Sequence, residues 1–496
     1  MEPQIVIEPE WVGKSGQVFL RVKADGEILD ASKINITVAE KRENFIKTLL
    51  KAHPGLDEQF LRGELLKLAA GWSNIKNSKP EAEIEENTPL AKSKTELAKM
   101  NRQTVEEARQ FLRRPDLLEQ IIEHVHQLGS AGEDDLIGII YLIGTSRLLE
   151  RPLAGMVMGA SAAGKSYLLN TVGKLFPGEA ILSAHRITAR ALEHTAEHDL
   201  EHRFLMAGER SRLQDDGAAE ATRALREMLA DGKLTLMCPE KGPDGRMETR
   251  IIERWGPIAY AESTTLGLRD IFDEDRTRMI LLAADETRAQ TKAVLATQAA
   301  TAAGNTLADQ GGIIELHHAM QRLLEPQQVI VPYAPQLAEA FLEDRVEARR
   351  SFVQVLSFIQ AVCLLYQFQR VRNAHGELLA IKTDYEICRK LLAEPIGRGL
   401  GLALTPGAMA LLDHIDSRGG SGYFTIPTIA GELKLADSTV RGRVKELVHA
   451  GFVQEREKAK GPTAATYGRI EGGNKFSAFT LPLLDDKAQV LENTGT

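Results

Sequence analysis

The stretch Gln17-Val18-Phe19-Leu20-Arg21-Val22-Lys23 alternates apolar and polar side chains, the period of a strand with one buried face. Ala24-Asp25-Gly26-Glu27 supplies a hairpin turn, and Ile28 to Ile36 resumes the strand character. From Glu40 to His53 and from Asp57 to Ala70 the apolar positions recur at helical spacing instead. Residues 1–72 therefore predict a small α+β module. It carries no catalytic constellation, so an accessory or interaction role is expected. Residues 73–101 are polar and charged, with Pro80, Pro89 and few large apolar side chains, which predicts a flexible linker.

Helical periodicity returns over Thr104 to Phe111, Leu117 to Leu128 and, with a more buried pattern, Asp134 to Leu149. Ala154-Gly155-Met156-Val157-Met158 is then a continuous apolar run, as in a strand buried on both faces. Gly159-Ala160-Ser161-Ala162-Ala163-Gly164-Lys165-Ser166 follows it, and Tyr167 to Phe176 has helical spacing until Pro177-Gly178 stops it. Strand, glycine loop and helix are the context a phosphate-binding loop requires. Gly159 and Gly164 allow the tight backbone that points successive N–H groups from Gly159 through Tyr167 at phosphate oxygens. The helix adds its positive end. Lys165 is placed to reach the β- and γ-phosphates of ATP, and Ser166 to ligate Mg²⁺.

Length and composition narrow the class. At 496 residues the chain is too long for one ordinary domain and suggests roughly three. With 43% hydrophobic and 26% charged residues it has the composition of a soluble globular protein. A net charge of −8 means that any nucleic-acid binding must use local basic patches. Cys238, Cys363 and Cys388 form no CxxC pair, so neither a disulfide scaffold nor a zinc site is expected, and a cytoplasmic location fits. Met1-Glu2-Pro3-Gln4 does not open a signal peptide, and the longest apolar run, Leu136 to Gly144, is too short to span a bilayer, so no membrane partner is expected.

Beyond the loop helix, Ala180 to Ser183 is a short strand, and Thr188 is placed to cap a helix running to His194. Phe204-Leu205-Met206-Ala207-Gly208-Glu209-Arg210 is an apolar run that ends in an acid. In phosphate-loop ATPases a second buried strand ends in acids that hold Mg²⁺ and polarise the attacking water. Glu209 is the candidate for both roles, but Gly208 stands where the usual pattern has an aspartate. Ala218 to Asp231 predicts a helix. Leu234 to Lys241 and Arg246 to Arg254 then flank Gly242-Pro243-Asp244-Gly245 as a hairpin. Its Lys241, Arg246 and Arg250 would grip a phosphate backbone or simply solvate an ordinary hairpin. Pro257 to Thr265 is another buried strand, ending in hydroxyls that could orient the lytic water. Arg276 and Arg278 precede the strand Met279 to Ala284, where an arginine can reach a neighbouring subunit's nucleotide.

The order of these motifs resembles the AAA+ ATPases, and within them the minichromosome-maintenance-type helicases with a hairpin before the sensor 1 strand. It is also similar to primase-associated ATPases of phages and mobile elements, through Ser146 to Leu153 and Arg349-Arg350-Ser351-Phe352. The resemblance covers roughly residues 105–395. It implies that Thr264 or Thr265 is sensor 1, Arg278 or else Arg276 the arginine finger, and Arg349 or Arg350 sensor 2. It further implies a homo-oligomeric ring, a hexamer among the options, working with a primase or another replication protein.

Residues 286–398 are almost wholly helical by pattern, with Val346 to Val371 a long apolar helix and Asp384 to Leu392 another, as in a helical lid. Over residues 403–472, helices are expected at Pro406 to Ser417, Ile426 to Leu433 and Thr439 to Ala450. Strands at Phe452 to Glu457 and Ala465 to Ile470 bracket a basic loop. This part resembles a winged helix-turn-helix. On that resemblance Thr439, Arg441, Arg443 and Lys445 would face a DNA groove, with Lys458 and Lys460 meeting phosphate from the wing. Residues 473–496 predict a short strand and a disordered tail.

The expected fold class is thus α/β: a P-loop AAA+ core over 102–285, a helical lid, the N-terminal α+β module and a C-terminal winged helix-turn-helix. The expected function is an ATP- and Mg²⁺-dependent DNA translocase or helicase in replication of a phage or mobile element. The rivals are a helicase loader or DNA-binding regulatory switch that does not unwind, and a defence ATPase that senses nucleic acid.

Overall fold

The computed structural model describes residues 5–484 apart from 12–16, 25–26, 37, 78–87, 186, 188–190, 211–215, 242–246, 267–270, 272, 305–308, 342–345, 401–403, 419–422, 450–451, 458–463 and 471–480. The chain divides into two units, one of residues 1–88 with 235–253 and one of residues 89–234 with 254–496.

In the first unit, β1 (Ile5–Trp11), β2 (Gln17–Ala24) and β3 (Glu27–Asn35) form an antiparallel sheet in that order. The alternation in β2 buries Val18, Leu20 and Val22, and α1 (Ala39–Ala52) and α2 (Glu58–Asn77) close over them with Phe45, Ile46, Leu49, Leu61 and Leu65. Strand β1 was not expected from the sequence. The stretch expected to be a linker is helical at both ends, because α2 runs to Asn77 and α3 occupies Pro89–Lys99. Apolar Leu90 and Leu97 pack α3 onto the core of the second unit, and its Ser93 bonds Glu179 at 3.3 Å.

The second unit is built on a five-stranded parallel sheet: β4 (Ala154–Met158), β5 (Ile181–Ala184), β6 (Arg203–Arg210), β9 (Ile258–Thr264) and β10 (Ile280–Ala283). Its spatial order is β10-β4-β9-β6-β5. Every residue of β4 and β9 is buried, which is why these strands lack a polar face. Helices α4 (Arg102–Phe111), α5 (Leu117–Gln127), α6 (Asp134–Thr145), α7 (Lys165–Gly173), α8 (Asp216–Asp231) and the short α9 (Asp273–Arg278) accompany the sheet. Helix α6 is buried over Leu136–Thr145 because it lies between β9 and the lid.

The stretch from Ser146 to Leu153 that suggested primase-associated proteins brings the chain into β4. Ser146 Oγ accepts from Leu153 N at 2.8 Å, and the fully buried Arg147 binds Gln321 Oε1 at 2.7 Å. Burial pulls the Arg147 guanidinium down to about 10.

Among the described residues, strands β7 (Lys233–Lys241) and β8 (Met247–Trp255) pair only with each other, as a hairpin placed in sequence between α8 and β9. Met237, Met247 and Ile251 are exposed on it.

The lid consists of α10 (Arg288–Ala302), α11 (Gln310–Leu323), α12 (Ala334–Ala340), α13 (Ala348–Leu365) and α14 (Lys382–Gly399), with a two-stranded parallel pair, β11 (Val329–Ile330) and β12 (Leu378–Leu379). Among the described helices only α13 is long and apolar enough to cross a membrane, and 61% of it is buried inside the protein, as in a core helix. Its Phe358 is fully buried and its Phe352 partly so, packed into the core. Buried Arg398 ties α14 to the sheet by donating to Leu281 O at 2.7 Å.

The C-terminal part has α15 (Pro406–Ser417), α16 (Ile426–Leu433) and α17 (Asp437–His449) on a three-stranded antiparallel sheet of β13 (Phe424–Thr425), β14 (Val453–Glu457) and β15 (Thr466–Arg469). It has its own core of Ala408, Leu411, Ile429, Val440, Val444, Leu447 and Val453. Within the expected tail, Leu481–Leu484 has no strand. It lies on α14 instead, where Tyr385 Oη donates to Pro482 O at 2.7 Å and Arg389 Nε to Leu481 O at 3.0 Å.

Candidate nucleotide site

Parallel strands deliver their C-terminal ends to one edge of the sheet, and ligands bind where the strand order reverses. Here the chain leaves β4 for the far edge at β5, returns through β6 and β9, and finally reaches β10 on the other side of β4. The loop 159–164 therefore leaves the sheet at its switch point. Its last residue, Gly164, has φ of 82°, a left-handed turn that a glycine makes without strain, and α7 starts at once with Lys165.

Lys165 is only 6% exposed, and its Nζ donates to Gly159 O at 2.9 Å and Ala160 O at 2.7 Å. Burial holds its ammonium below the usual lysine range, while the carboxylates of Glu209 and Glu286 pull the other way. The side chain thus stays on the loop by bonds to two carbonyls, and its flexible stem lets it exchange them for phosphate oxygens.

The register places the other candidates beside the loop. Met158 pairs with Thr264 across β4 and β9, and Glu209 pairs with Ser263 across β6 and β9. A bulge between Met206 and Glu209 re-aims the end of β6. Thr265 Oγ1 donates to Glu209 Oε1 at 2.7 Å, which ties the end of β6 to the end of β9. Thr264 is fully buried and its hydroxyl accepts from Leu266 N at 3.0 Å, a turn-forming role. Of the two threonines, Thr265 is the one presented to the cleft.

The replacement of the expected aspartate by Gly208 has a steric cause. A Cβ at Gly208 would lie 2.4 Å from the His185 carbonyl oxygen, a backbone atom that cannot swing aside. Gly208→Asp, which would complete the usual acidic pair, is expected to cost about 1–3 kcal/mol of stability through overpacking. Thermal unfolding should show a lower midpoint and ATP hydrolysis no gain. A variant of normal midpoint with faster hydrolysis would show that an aspartate fits there after all.

Among the described residues no group of three His, Cys, Asp or Glu side chains is placed to hold a metal ion. A nucleotide-bound Mg²⁺ needs only one or two protein ligands, since phosphates and water supply the rest. Ser166 at the head of α7 and Glu209 at the end of β6, both exposed, fit that sparse requirement.

The arginines that the resemblance implies lie on α9 and α13, Arg276 and Arg278 being those expected to serve a neighbouring subunit. Arg349 and Arg350 sit on the first turn of α13, and Arg350 Nη1 donates to Thr277 Oγ1 on α9. Arg278 donates to Glu274 O at 3.3 Å, and Arg276 lines a small recess with Thr277, Glu347 and Gln354. None of these four lines the cleft beside the loop. The arginine that does is Arg443 of α17, which the sequence suggested for a DNA groove.

The cleft holds about 670 Å³, within the 300–1,000 Å³ typical of small-molecule sites. One wall is Gly159, Ala160, Glu209 and Thr265, and the facing wall is the start of α15 with the side of α17 from Ser438 to Glu446. Glu286, just past β10, stands between them. Its Oε1 accepts from Ala160 N at 2.5 Å and its Oε2 from Arg443 Nη2. Neighbouring Asp285 is anchored through its N–H to Glu133 Oε1 at 2.7 Å, and burial pushes the Glu133 carboxyl up to about 7. The sequence carried no local signal for Glu286, because its partners are 126 and 157 residues away.

Of the other proposed nucleic-acid contacts, Arg441 and Lys445 are exposed on α17, while Thr439 and Lys445 also line the cleft. Lys241 and Arg250 lie in the hairpin strands. Arg246, Lys458 and Lys460 fall outside the described residues. No protein-family model matches the chain, and no curated protein matches it.

Proposed function

We propose that this chain is an ATPase of the AAA+ type that couples hydrolysis to movement on DNA, as a translocase or helicase. The observation that carries this reading is the meeting of Glu209 with Thr265 beside the glycine loop, an acid and a hydroxyl from two strands next to the loop strand. Lys165 neutralises phosphate charge, and Glu209 Oε2 orients the attacking water and takes its proton. Thr265 holds Glu209 in that orientation. Mg²⁺, held by Ser166 and with Glu209 at hand, would supply charge neutralisation at the phosphates.

Further support comes from the layout. With the loop strand as first, the sheet order is fifth, first, fourth, third, second, and the hairpin interrupts the chain between the third and fourth strands. A hairpin just before the fourth strand is what the resemblance to minichromosome-maintenance-type helicases implies. The resemblance also motivates the place of action, replication of a phage or mobile element, and a ring in which Arg278 serves a neighbour's nucleotide. The three helices and three strands of the C-terminal part suit a winged helix.

A motor needs a grip on DNA that nucleotide can move. Replacing Lys241, Arg246 and Arg250 together by alanine should abolish stimulation of ATP hydrolysis by single-stranded DNA, with strand displacement lost as well. The slope of log affinity against log salt should also fall by about 2, at roughly 0.7 per contact on a single strand. A triple variant that unwinds as wild type does would exclude the hairpin as the grip. Wild type with neither stimulation nor unwinding would favour the second reading, a nucleotide-controlled switch. The observation on that side is the C-terminal helix α17 walling the nucleotide cleft, where a nucleotide could set its position.

A further inference from the structure

Glu286 shows two donors converging on one anion. A single carboxylate spans the Ala160 N–H of the glycine loop and the Arg443 guanidinium of α17, so the two donors are one carboxylate's width apart. Carboxylates and phosphates are bound by the same charge-assisted donors, and arginine suits both. We propose that Ala160 N–H and Arg443 form a seat for a phosphate group of the bound nucleotide, and that Glu286 is the internal carboxylate the phosphate must displace. This deepens the nucleotide-binding reading above and rests on it.

The burial of Arg443, the room Gly407 gives it and the side chains beside it support an anion at that seat. Arg443 is largely buried, with 14% of its side chain exposed, so its charge is poorly screened. Gly407 leaves the guanidinium its room, since a Cβ there would lie 2.6 Å from Arg443 Nε. Along its flank α17, a helix of 13 residues, lines the cleft with Ser438, Thr439 and Lys445 beside Arg443, which brings two polar hydroxyl side chains and a second cation to the same space. The wall is fixed to its own subdomain, because Glu446 of α17 accepts from Thr405 N at 2.5 Å and Thr405 Oγ1 at 2.9 Å at the start of α15.

The competition has a sign. Glu286 offers a single carboxylate, and a nucleotide di- or triphosphate brings more negative charge to the same donors. Removing the charge of Glu286 should therefore help the nucleotide, whereas removing Arg443 should hinder it. A merely structural ion pair between the loop and α17 would make both changes act in the same direction.

The test is titration of the full chain with a fluorescent ATP analogue, using wild type, Lys165→Ala, Arg443→Ala, Arg443→Lys and Glu286→Gln, with thermal unfolding of each. Arg443→Ala should weaken binding by about 10-fold or more, as for loss of a charged hydrogen bond, and Arg443→Lys should recover part of it. Glu286→Gln should tighten binding. Should Arg443→Ala fail to fold, the opposite signs of Arg443→Lys and Glu286→Gln decide the matter. The inference is overturned if Arg443→Ala and Arg443→Lys bind as wild type while Lys165→Ala has lost binding. Glu286→Gln weakening binding would overturn it equally. If wild type does not bind the analogue, or Lys165→Ala binds it fully, the glycine-loop reading itself has failed, a separate and recognisable result.

Discussion

Lys165→Ala should remove ATP hydrolysis. The lysine is buried at the head of α7 and its ammonium is already held against the loop carbonyls of Gly159 and Ala160. Losing a charged hydrogen-bond partner of this kind weakens nucleotide binding by roughly 10- to 100-fold. Losing its pull on the charge that develops in transfer costs about a further 10²–10³ in rate. Among the described residues that line the adjacent cleft, the cations are Arg443 and Lys445, both on the α17 wall rather than on the loop, so neither is placed to replace it. The measurement is phosphate release at saturating ATP, beside a binding titration. Unchanged turnover would exclude the phosphate-loop assignment. The same variant tests the ring: mixed with Arg278→Ala, it should regain partial activity at interfaces that combine one intact loop with one intact arginine. A monomer with full activity would exclude that arrangement.

The parts of this site that could be read from the sequence are those fixed by local chemistry. The glycine loop announces itself because a tight turn, an apolar strand before it and a helix after it each impose residue types at fixed spacing. The helices Pro406–Ser417 and Ile426–Leu433 have the bounds the sequence suggests, because caps and breakers act within a few residues. Thr405 and Thr425 cap them through their own side chains.

What escaped is set by tertiary approach. Gly208 looks like a missing aspartate until the His185 backbone is seen to fill the space its side chain would need. Glu286 and Arg443 are 157 residues apart, and nothing near either predicts that they share a carboxylate with the loop. Strand β1 carries Pro9 within a short run, a residue that argues against a strand unless the strand lies at a sheet edge, as β1 does. The stretch 73–101 is polar in composition, yet Leu90 and Leu97 are enough to dock α3. The resemblance to a winged helix-turn-helix implied that Arg443 faces DNA. The fold gives that helix a second face, with Arg441 exposed and Arg443 engaged with Glu286 at the cleft beside the glycine loop.

Glu209→Gln should bind ATP and fail to hydrolyse it. The amide keeps the size of the carboxylate and can still accept from the Thr265 hydroxyl, so the end of β6 should hold its place. It cannot take a proton from water, and general-base catalysis typically contributes 10²–10⁴-fold. Turnover should fall by about that factor while nucleotide affinity stays near that of wild type, a separation that distinguishes this variant from Lys165→Ala. Thr265→Ala should have a smaller effect in the same direction, since it leaves the base in place and removes only the bond that orients it. The pH profile discriminates further. A base that must be deprotonated gives an acidic limb in wild-type turnover. Glu209→Gln should flatten that limb, whereas Thr265→Ala should lower turnover at all pH values and keep it. If Glu209→Gln hydrolyses ATP at the wild-type rate, the water-activating acid lies elsewhere, and the Glu209–Thr265 pair is a structural clasp between two strand ends.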